Sequence, residues 1–318
     1  MSGPVAVLAG GLSHERDVSL RSGRRVAEAL RAVGVDVHVL DVDAALVATL
    51  RTERPSVVFP LLHGQAGEDG ALRDVLELLG LPYVGATPAA CRVAFDKPVA
   101  KAVLAAAGLN TPDGVALPHE TFRELGAAIV LEAIVERLGL PLVVKPTHGG
   151  SALGVSVVHR LEDLPTAMVA AFSYGDTALV ERFVAGTEVG VAVVEPRGRS
   201  RVLPPVEIVP DGGVYDYAAR YTAGTTEFFA PARLSEPAEQ AAMEAAQRAH
   251  DVLGLRDLSR SDLVVAADGG VWILEVNAAP GMTETSLLPQ AAAAAGLDLG
   301  ELCRDLVETA AARGPDVT

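Results

Sequence analysis

Arg260-Ser261-Asp262 and Glu275-Val276-Asn277 are the segments of this sequence best suited to chemistry. In each, the polar side chains lie two residues apart, so on a β-strand both members of the pair face one side. Apolar residues, Leu263-Val264-Val265 and Trp272-Ile273-Leu274, adjoin them, and Asp268-Gly269-Gly270 between is a hairpin signal. Two carboxylates and one amide oxygen facing inward make a hard oxygen cage. Such a cage suits Mg²⁺, with coordination left over for substrate phosphates. The competing reading is a sheet face bearing ordinary surface charges. Pro280-Gly281-Met282-Thr283, a shaped loop directly after the cage, favours the first.

A second group is basic. Lys145 ends the hydrophobic run Leu142-Val143-Val144, where a solvated surface lysine is a poor fit, and Lys97 opens a helical segment. Gly149-Gly150-Ser151-Ala152-Leu153-Gly154 follows Lys145 at once. The amides of a Gly-rich turn can cradle phosphate; the alternative is a plain flexible turn. No Gly-Lys-Ser/Thr follows these glycines, so the segment is not a Walker A loop. Gly10-Gly11-Leu12-Ser13-His14-Glu15 lacks the Gly-x-Gly-x-x-Gly spacing that a nicotinamide oxidoreductase would need. Glu15, near a helix start, either complements the helix dipole or meets a substrate ammonium.

Strands and helices must hold these groups in place. Val5–Ala9, Val35–Leu40 and Ser56–Leu62 read as strands, with helix between the first two and from Ala71 to Leu79, and Tyr83-Val84-Gly85 as a short buried strand. That alternation predicts an open parallel sheet with its ligands at the carboxyl ends of the strands. His63 to Gly70 reads as a loop. Helices are expected over Asp96–Ala107 and Ile129–Leu138, strands over 142–146 and 155–159 about a hairpin, and a strand over Ala178–Phe183. The remainder is strand-rich, with Glu188–Val194, Arg201–Val209, Arg260–Ala266 and Val271–Glu275, a helix over Glu236–Leu253 and a closing helix. The polar, aromatic stretch Asp211–Phe229 is long enough to be a functional lid. The fold class is therefore α/β, or α+β overall, in two or three domains.

The chain has 318 residues, half of them hydrophobic and 21% charged, enough for a large core. Its net charge, 26 − 41 = −15, argues against general nucleic-acid binding. Mean hydropathy is positive, +0.31, but no apolar run reaches the roughly 18 residues of a spanning helix. Cys91 and Cys303 are too few for a disulfide framework and read as small core residues. With no basic, apolar leader at Met1–Leu12, a cytoplasmic protein is expected.

Taken in order, several segments resemble the signatures of the D-alanine–D-alanine ligases across nearly the whole chain. They are Gly10 to Leu20, His63 to Gly70, Phe95-Asp96-Lys97, Val144-Lys145-Pro146, Tyr215-Asp216-Tyr217 with Tyr221, Arg260-Ser261-Asp262, Glu275 to Thr283, and Ser286-Leu287. The set from Glu275 onward would alone indicate only the wider ATP-grasp superfamily. The resemblance implies an ATP-grasp fold in three domains, at 1–94, 95–185 and 186–318, with the nucleotide between the last two. It implies that Lys97, Lys145, Ser151 and Arg220 serve the ATP phosphates. Glu181 and the Val184 backbone would hold the adenine, Phe183 would lie by the base and Glu188 at the ribose, with Leu274 also in the ATP site. Asp262, Glu275 and Asn277 would bind two Mg²⁺ or Mn²⁺ ions. Glu15 would pair with the ammonium of the first D-alanine, and His63, positioned by Glu68, would lie near its carboxylate. Ser286 and Leu287 would hold the second D-alanine. Arg260 and the Gly281 N–H would face the oxyanion, and Ser151 and Tyr221 would join the phosphate loop to the lid and to Glu15.

The activity implied is ATP-dependent formation of D-alanyl-D-alanine through an acyl phosphate, for peptidoglycan precursors. Related ligases using D-serine, D-lactate or another small acceptor are the alternative; Tyr221 favours an amine acceptor. A non-catalytic nucleotide-binding module is disfavoured by the full set Arg260, Asp262, Glu275 and Asn277. The family also implies a homodimer, while charge and hydropathy predict neither nucleic acid nor membrane as partner. Arg220 stands where the family usually has lysine, Ala152 where a serine is usual, and Ala278 where a threonine is usual.

Overall fold

The computed structural model describes residues 3–150, 152–211 and 224–316. Three sheets organise it. In the first, β1 (Val5–Ala9) lies between β2 (Val37–Asp41) and β3 (Val57–Pro60), all parallel. Every residue of β1 and β3 is buried, which is why both read as continuous apolar runs without alternation. Tyr83 makes a single parallel bridge to Val58 in place of the expected short strand. Gln65–Glu68 is a turn of helix where a loop was expected.

The second sheet has the order β4-β7-β5-β6: β4 (Gly114–Pro118), β5 (Leu142–Pro146), β6 (Ser156–Val158) and β7 (Thr177–Arg182). Its neighbours are antiparallel, and the Gly-rich segment joins β5 to β6 as the hairpin expected. The third sheet is also antiparallel. Its order is β11-β10-β8-β12-β13, with β9 paired to β8. Here β8 is Thr187–Val194, β9 Arg201–Val202, β10 Val206–Pro210, β11 Thr226–Phe229, β12 Leu258–Val265 and β13 Val271–Asn277. The run Arg201–Val209 thus forms two strands. Pro204 and Pro205 interrupt it because neither has an N–H for the ladder.

Helix Leu299–Arg313 returns to the first sheet. Leu302, Leu306 and Val307 share a core with Val5, Val26 and Leu30. Helices Pro88–Phe95, Lys97–Ala106 and Glu236–Val252 pack Cys91, Leu104 and Ala246 beneath the third sheet. The second sheet has its own core of Leu131, Ile134, Leu142, Val144 and Leu164. Cys91 and Cys303 are both fully buried and unpaired. Among the described residues no helix is long and apolar enough to cross a membrane.

Candidate active site

A cavity of about 740 Å³ opens between the second and third sheets. β5 and β7 contribute Val143, Lys145 and Glu181, followed by Phe183 and Val184; β8, β12 and β13 contribute Glu188, Asp262, Val264, Leu274 and Glu275. Lys97 lines it from its helix start, and Ser13, His14 and Glu15 reach it from the loop after β1.

A fault in the β12–β13 ladder shapes one wall. Arg260 pairs with Asn277 and Asp262 with Glu275, but Leu263 then pairs with Ile273. Leu274 is the extra residue of a bulge, which re-aims side chains locally. Leu274 and its neighbour Glu275 consequently both line the cavity. The free Leu274 carbonyl accepts a hydrogen bond from Lys145 Nζ at 3.4 Å.

Four charged groups meet beside that wall, and three of them, Lys97, Lys145 and Glu181, line the cavity themselves. Lys145 Nζ lies 2.7 Å from Glu181 Oε2, and Lys101 Nζ 2.5 Å from Glu181 Oε1. Burial opposes the Lys145 charge, but Glu181 and Glu275 outweigh it and hold its pKa above the ordinary lysine value. Lys101 is pushed down to about 8 by burial, which Glu181 opposes and the Lys145 charge reinforces. Burial works against the Glu181 carboxylate too, yet the two lysines hold its pKa below the usual range. The Glu181 side chain was expected at the adenine. Both its oxygens lie within ion-pair distance of an ammonium group, and the residue lines the cavity next to Phe183 and Val184. Lys97 Nζ donates to the Gly149 carbonyl at 2.6 Å and lies 3.3 Å from Glu275 Oε2, so it bridges the Gly-rich hairpin and β13.

Arg260 donates from Nε and Nη2 to the two oxygens of Asp262, at 2.6 and 2.9 Å. Asn277 Oδ1 accepts the Ala279 N–H at 2.7 Å. Asp262, Glu275 and Asn277 fit a divalent cation by donor type and by strand register. Among the described residues no three His, Cys, Asp or Glu side chains cluster closely enough to hold an ion by themselves. An ion here would complete its shell with oxygens from elsewhere, as Mg²⁺ does with phosphates and water.

The loop after β1 is braced from below. Gly10 has φ +102°, and a Cβ there would fall 2.1 Å from Asp41 Oδ1, so only glycine fits. Asp41 accepts the Gly11 N–H at 3.0 Å and both arms of Arg16, at 3.0 and 2.5 Å. Glu15, 6% exposed, immediately precedes helix Arg16–Ala32. Ser13 Oγ accepts the Glu15 N–H and donates to the His63 carbonyl.

His63 is not positioned by Glu68. Its ring nitrogens are taken by the Ala279 carbonyl, 3.1 Å from Nδ1, and Ser22 Oγ, 3.2 Å from Nε2. Glu68 instead accepts the Gly64 N–H at 3.0 Å. Burial, with the charge of Glu15 second, raises the Glu68 pKa.

Several expected residues lie off the main wall. Glu68 and Asn277 line a small adjoining recess with Lys97, Gly150 and Glu275. Leu287 is buried in the core against Gly190, which leaves its backbone N–H as its polar group. Ser286 Oγ accepts the Thr283 N–H at 3.0 Å. A Cβ at Gly281 would fall 2.7 Å from that same oxygen, so the loop turns tightly over Ser286. Ser151, Arg220 and Tyr221, with the Tyr215–Tyr217 motif, lie outside the described residues. Sequence reasoning missed Lys101 and Ser22. Lys101 carried a signal, standing one helical turn after Lys97; Ser22 carried none.

The family of this arrangement is settled by comparison. Residues 103–308 match the family model described as "D-ala D-ala ligase C-terminus", and residues 45–86 the one described as "D-ala D-ala ligase N-terminus". A D-alanine–D-alanine ligase of Anaeromyxobacter sp. (strain K) is 45% identical over 307 residues, covering 96% of both chains. The chain belongs to the D-alanine–D-alanine ligase family. The family's ligase from Bordetella petrii is 42% identical over 98% of this chain and 93% of its own. The crystal structure of the D-alanine–D-alanine ligase from Bacillus anthracis complexed with ATP superposes with a TM-score of 0.80 at 27% identity, covering 97% of each chain. The VanG D-Ala:D-Ser ligase from Enterococcus faecalis gives 0.84 at 28%, covering 98% of this chain and all of the other. The fold is therefore that of the family's ATP-grasp enzymes, as the motifs implied.

Proposed function

We propose that this protein joins two D-alanines into D-alanyl-D-alanine, converting ATP to ADP and phosphate, in the cytoplasm and for peptidoglycan precursors. The observation that carries this reading is one cavity wall holding Lys97, Lys145, Asp262, Glu275 and Glu15 together. Full-length relatives of the family support it. We take residues 1–94, 95–185 and 186–318 as its three domains and a homodimer as its assembly.

A carboxylate oxygen of the first D-alanine attacks the γ-phosphorus, ADP departs, and an acyl phosphate remains. The neutral amine of the second D-alanine then attacks the carbonyl carbon. Collapse of the tetrahedral oxyanion breaks the C–O bond, releases phosphate and leaves the peptide. Lys97, Lys145, the hairpin with Ser151, and Arg220 hold the phosphates. Phe183, Val184 and Leu274 flank the base, and Glu188 takes the ribose. Asp262, Glu275 and Asn277 are the oxygen donors for two Mg²⁺ or Mn²⁺ ions. Bound there, the ions would neutralise charge gathering on the phosphoryl group.

Glu15 pairs with the first ammonium. Ser286 and the Leu287 N–H receive the second carboxylate. Arg260 and the Gly281 N–H face the oxyanion; one such donor contributes about 3–4 kcal/mol. Tyr221 and Ser151 link the lid to Glu15 and exclude water from the acyl phosphate.

The likeness to a D-Ala:D-Ser ligase favours a second reading, in which D-serine is the acceptor. ADP release and product masses, measured with ATP, Mg²⁺ and D-alanine alone or against D-serine and D-lactate, separate the two. D-alanyl-D-alanine as the main product supports the first reading, and D-alanyl-D-serine the second. No ADP release with any D-amino acid contradicts both.

A further inference from the structure

The loop from Ala279 to Met282 is tied to helix Arg16–Ala32 by hydrogen bonds whose direction can be worked out. The Ala279 carbonyl only accepts, so His63 Nδ1, 3.1 Å away, carries a proton. Burial is the main cause that lowers the His63 pKa to about 4; the Ala279 bond partly opposes it and the Arg260 charge adds to it. The ring is therefore neutral at pH 7, and its Nε2 holds a lone pair. Ser22 Oγ, 3.2 Å from Nε2, donates its one proton there. Its oxygen then accepts the Met282 N–H, also at 3.2 Å.

The relay runs from Met282 N–H to Ser22, from Ser22 to His63, and from His63 to the Ala279 carbonyl. Ser22 and Met282 are fully buried and His63 is 5% exposed, so no water competes for these bonds. The two anchored positions bracket Pro280 and Gly281.

We propose that Ser22 is a positioning residue for peptide-bond formation: acting with His63, it sets the direction of the Gly281 N–H. The proposal rests on Gly281 as an oxyanion donor, as argued above. Ser22 stands on the helix that packs against the first sheet, yet one of its bonds goes to His63 after β3 and the other to the loop that follows β13. Removing its hydroxyl leaves the Met282 N–H without an acceptor and His63 Nε2 without a donor, and on this side, among the described residues, only the 3.5 Å bond from Arg25 Nη1 to the Met282 carbonyl still ties the loop to the helix. Small misplacement of a catalytic donor is enough to cost about a hundredfold in rate.

The test is Ser22→Ala in the full-length enzyme, with kcat, KM for ATP, thermal midpoint and affinity for a phosphinate analogue of the tetrahedral intermediate as readouts. The kcat should fall about ten- to a hundredfold. Analogue affinity should fall with it, while KM for ATP stays within about twofold. Ser22→Ala combined with His63→Gln should be no slower than the worse single variant, because both break one relay. If Ser22→Ala does not fold, Ser22→Cys keeps the size with a weaker donor and should give an intermediate kcat.

Unchanged kcat, or losses that multiply in the double variant, would overturn the proposal. So would parallel losses in kcat, KM for ATP and midpoint, which would make Ser22 a packing residue. A wild-type enzyme that makes no dipeptide overturns the ligase reading. A wild type that makes dipeptide, with analogue affinity untouched by Ser22→Ala, overturns this inference alone.

Discussion

Asp262 and Glu275 face each other across the β12–β13 ladder at the last paired position before the bulge. A regular ladder would turn Leu274 and Glu275 to opposite faces. The extra residue lets one strand present both an apolar floor and a carboxylate to the same cavity. It also frees the Leu274 carbonyl to fix Lys145.

Glu275→Gln should abolish ligation, by more than about a hundredfold in kcat, with the fold intact. Glu275 lies 3.3 Å from Lys97 and beside Asp262, and an amide supplies no charge to either the lysine or a cation. Circular dichroism and a thermal midpoint close to wild type, alongside lost ADP release, are the expected pair of results. Near-normal turnover would remove Glu275 from the proposed metal site.

Glu181→Gln should destabilise the protein by about 3–5 kcal/mol, since it leaves two buried ammonium groups without their counter-ion. Glu181 is 2% exposed between Lys101 and Lys145. Urea unfolding gives the number, and KM for ATP should rise in parallel because Lys145 loses its anchor. A loss below about 1 kcal/mol, typical of an exposed pair, would contradict the buried arrangement.

Acid should weaken the fold through His63. Its pKa is about 4 in the native state against 6.5 ordinarily. Between those values the unfolded chain binds a proton that the native state refuses, so stability falls as pH drops from about 6.5 to 4. The full effect is about 3 kcal/mol. Glu68 acts oppositely: its raised pKa means that stability declines as pH climbs above the ordinary carboxylate range. Comparing wild type with His63→Gln isolates the histidine, and the wild type should have the steeper slope between pH 4 and 6.5. Equal slopes would mean that His63 is charged in the fold.

Arg220→Ala should raise KM for ATP about tenfold, the loss of one charge-assisted bond, and Arg220→Lys should restore it. Steady-state kinetics with ATP varied at saturating D-alanine tests this. An unaffected alanine variant would make Arg220 a solvated charge.

Much of this was legible in the sequence because the chemistry sits on strands. The two-residue spacing of Arg260 with Asp262 and of Glu275 with Asn277 predicted shared faces, and the ladder pairs them. The Gly-rich hairpin and the all-buried β1 were equally readable. Partners distant in sequence were not. The anions and cations around Glu181 come from a helix and two strands, and no local pattern records that meeting. His63 finds Ala279 216 positions away, in preference to Glu68 five residues on. The bulge at Leu274 was invisible because its sequence alternates no differently from a regular strand. Pro204-Pro205, by contrast, carried the signal for a break, which the reading of Arg201–Val209 as one strand passed over.

The most direct test of the central claim follows an oxygen atom. With D-alanine labelled by ¹⁸O in its carboxylate, attack on the γ-phosphorus and later displacement by the second amine leave one labelled oxygen in each phosphate released. Mass analysis of the phosphate formed with ATP and Mg²⁺ should show one ¹⁸O per D-alanyl-D-alanine. Dipeptide formed alongside unlabelled phosphate would contradict the acyl-phosphate route and the account of the site built on it.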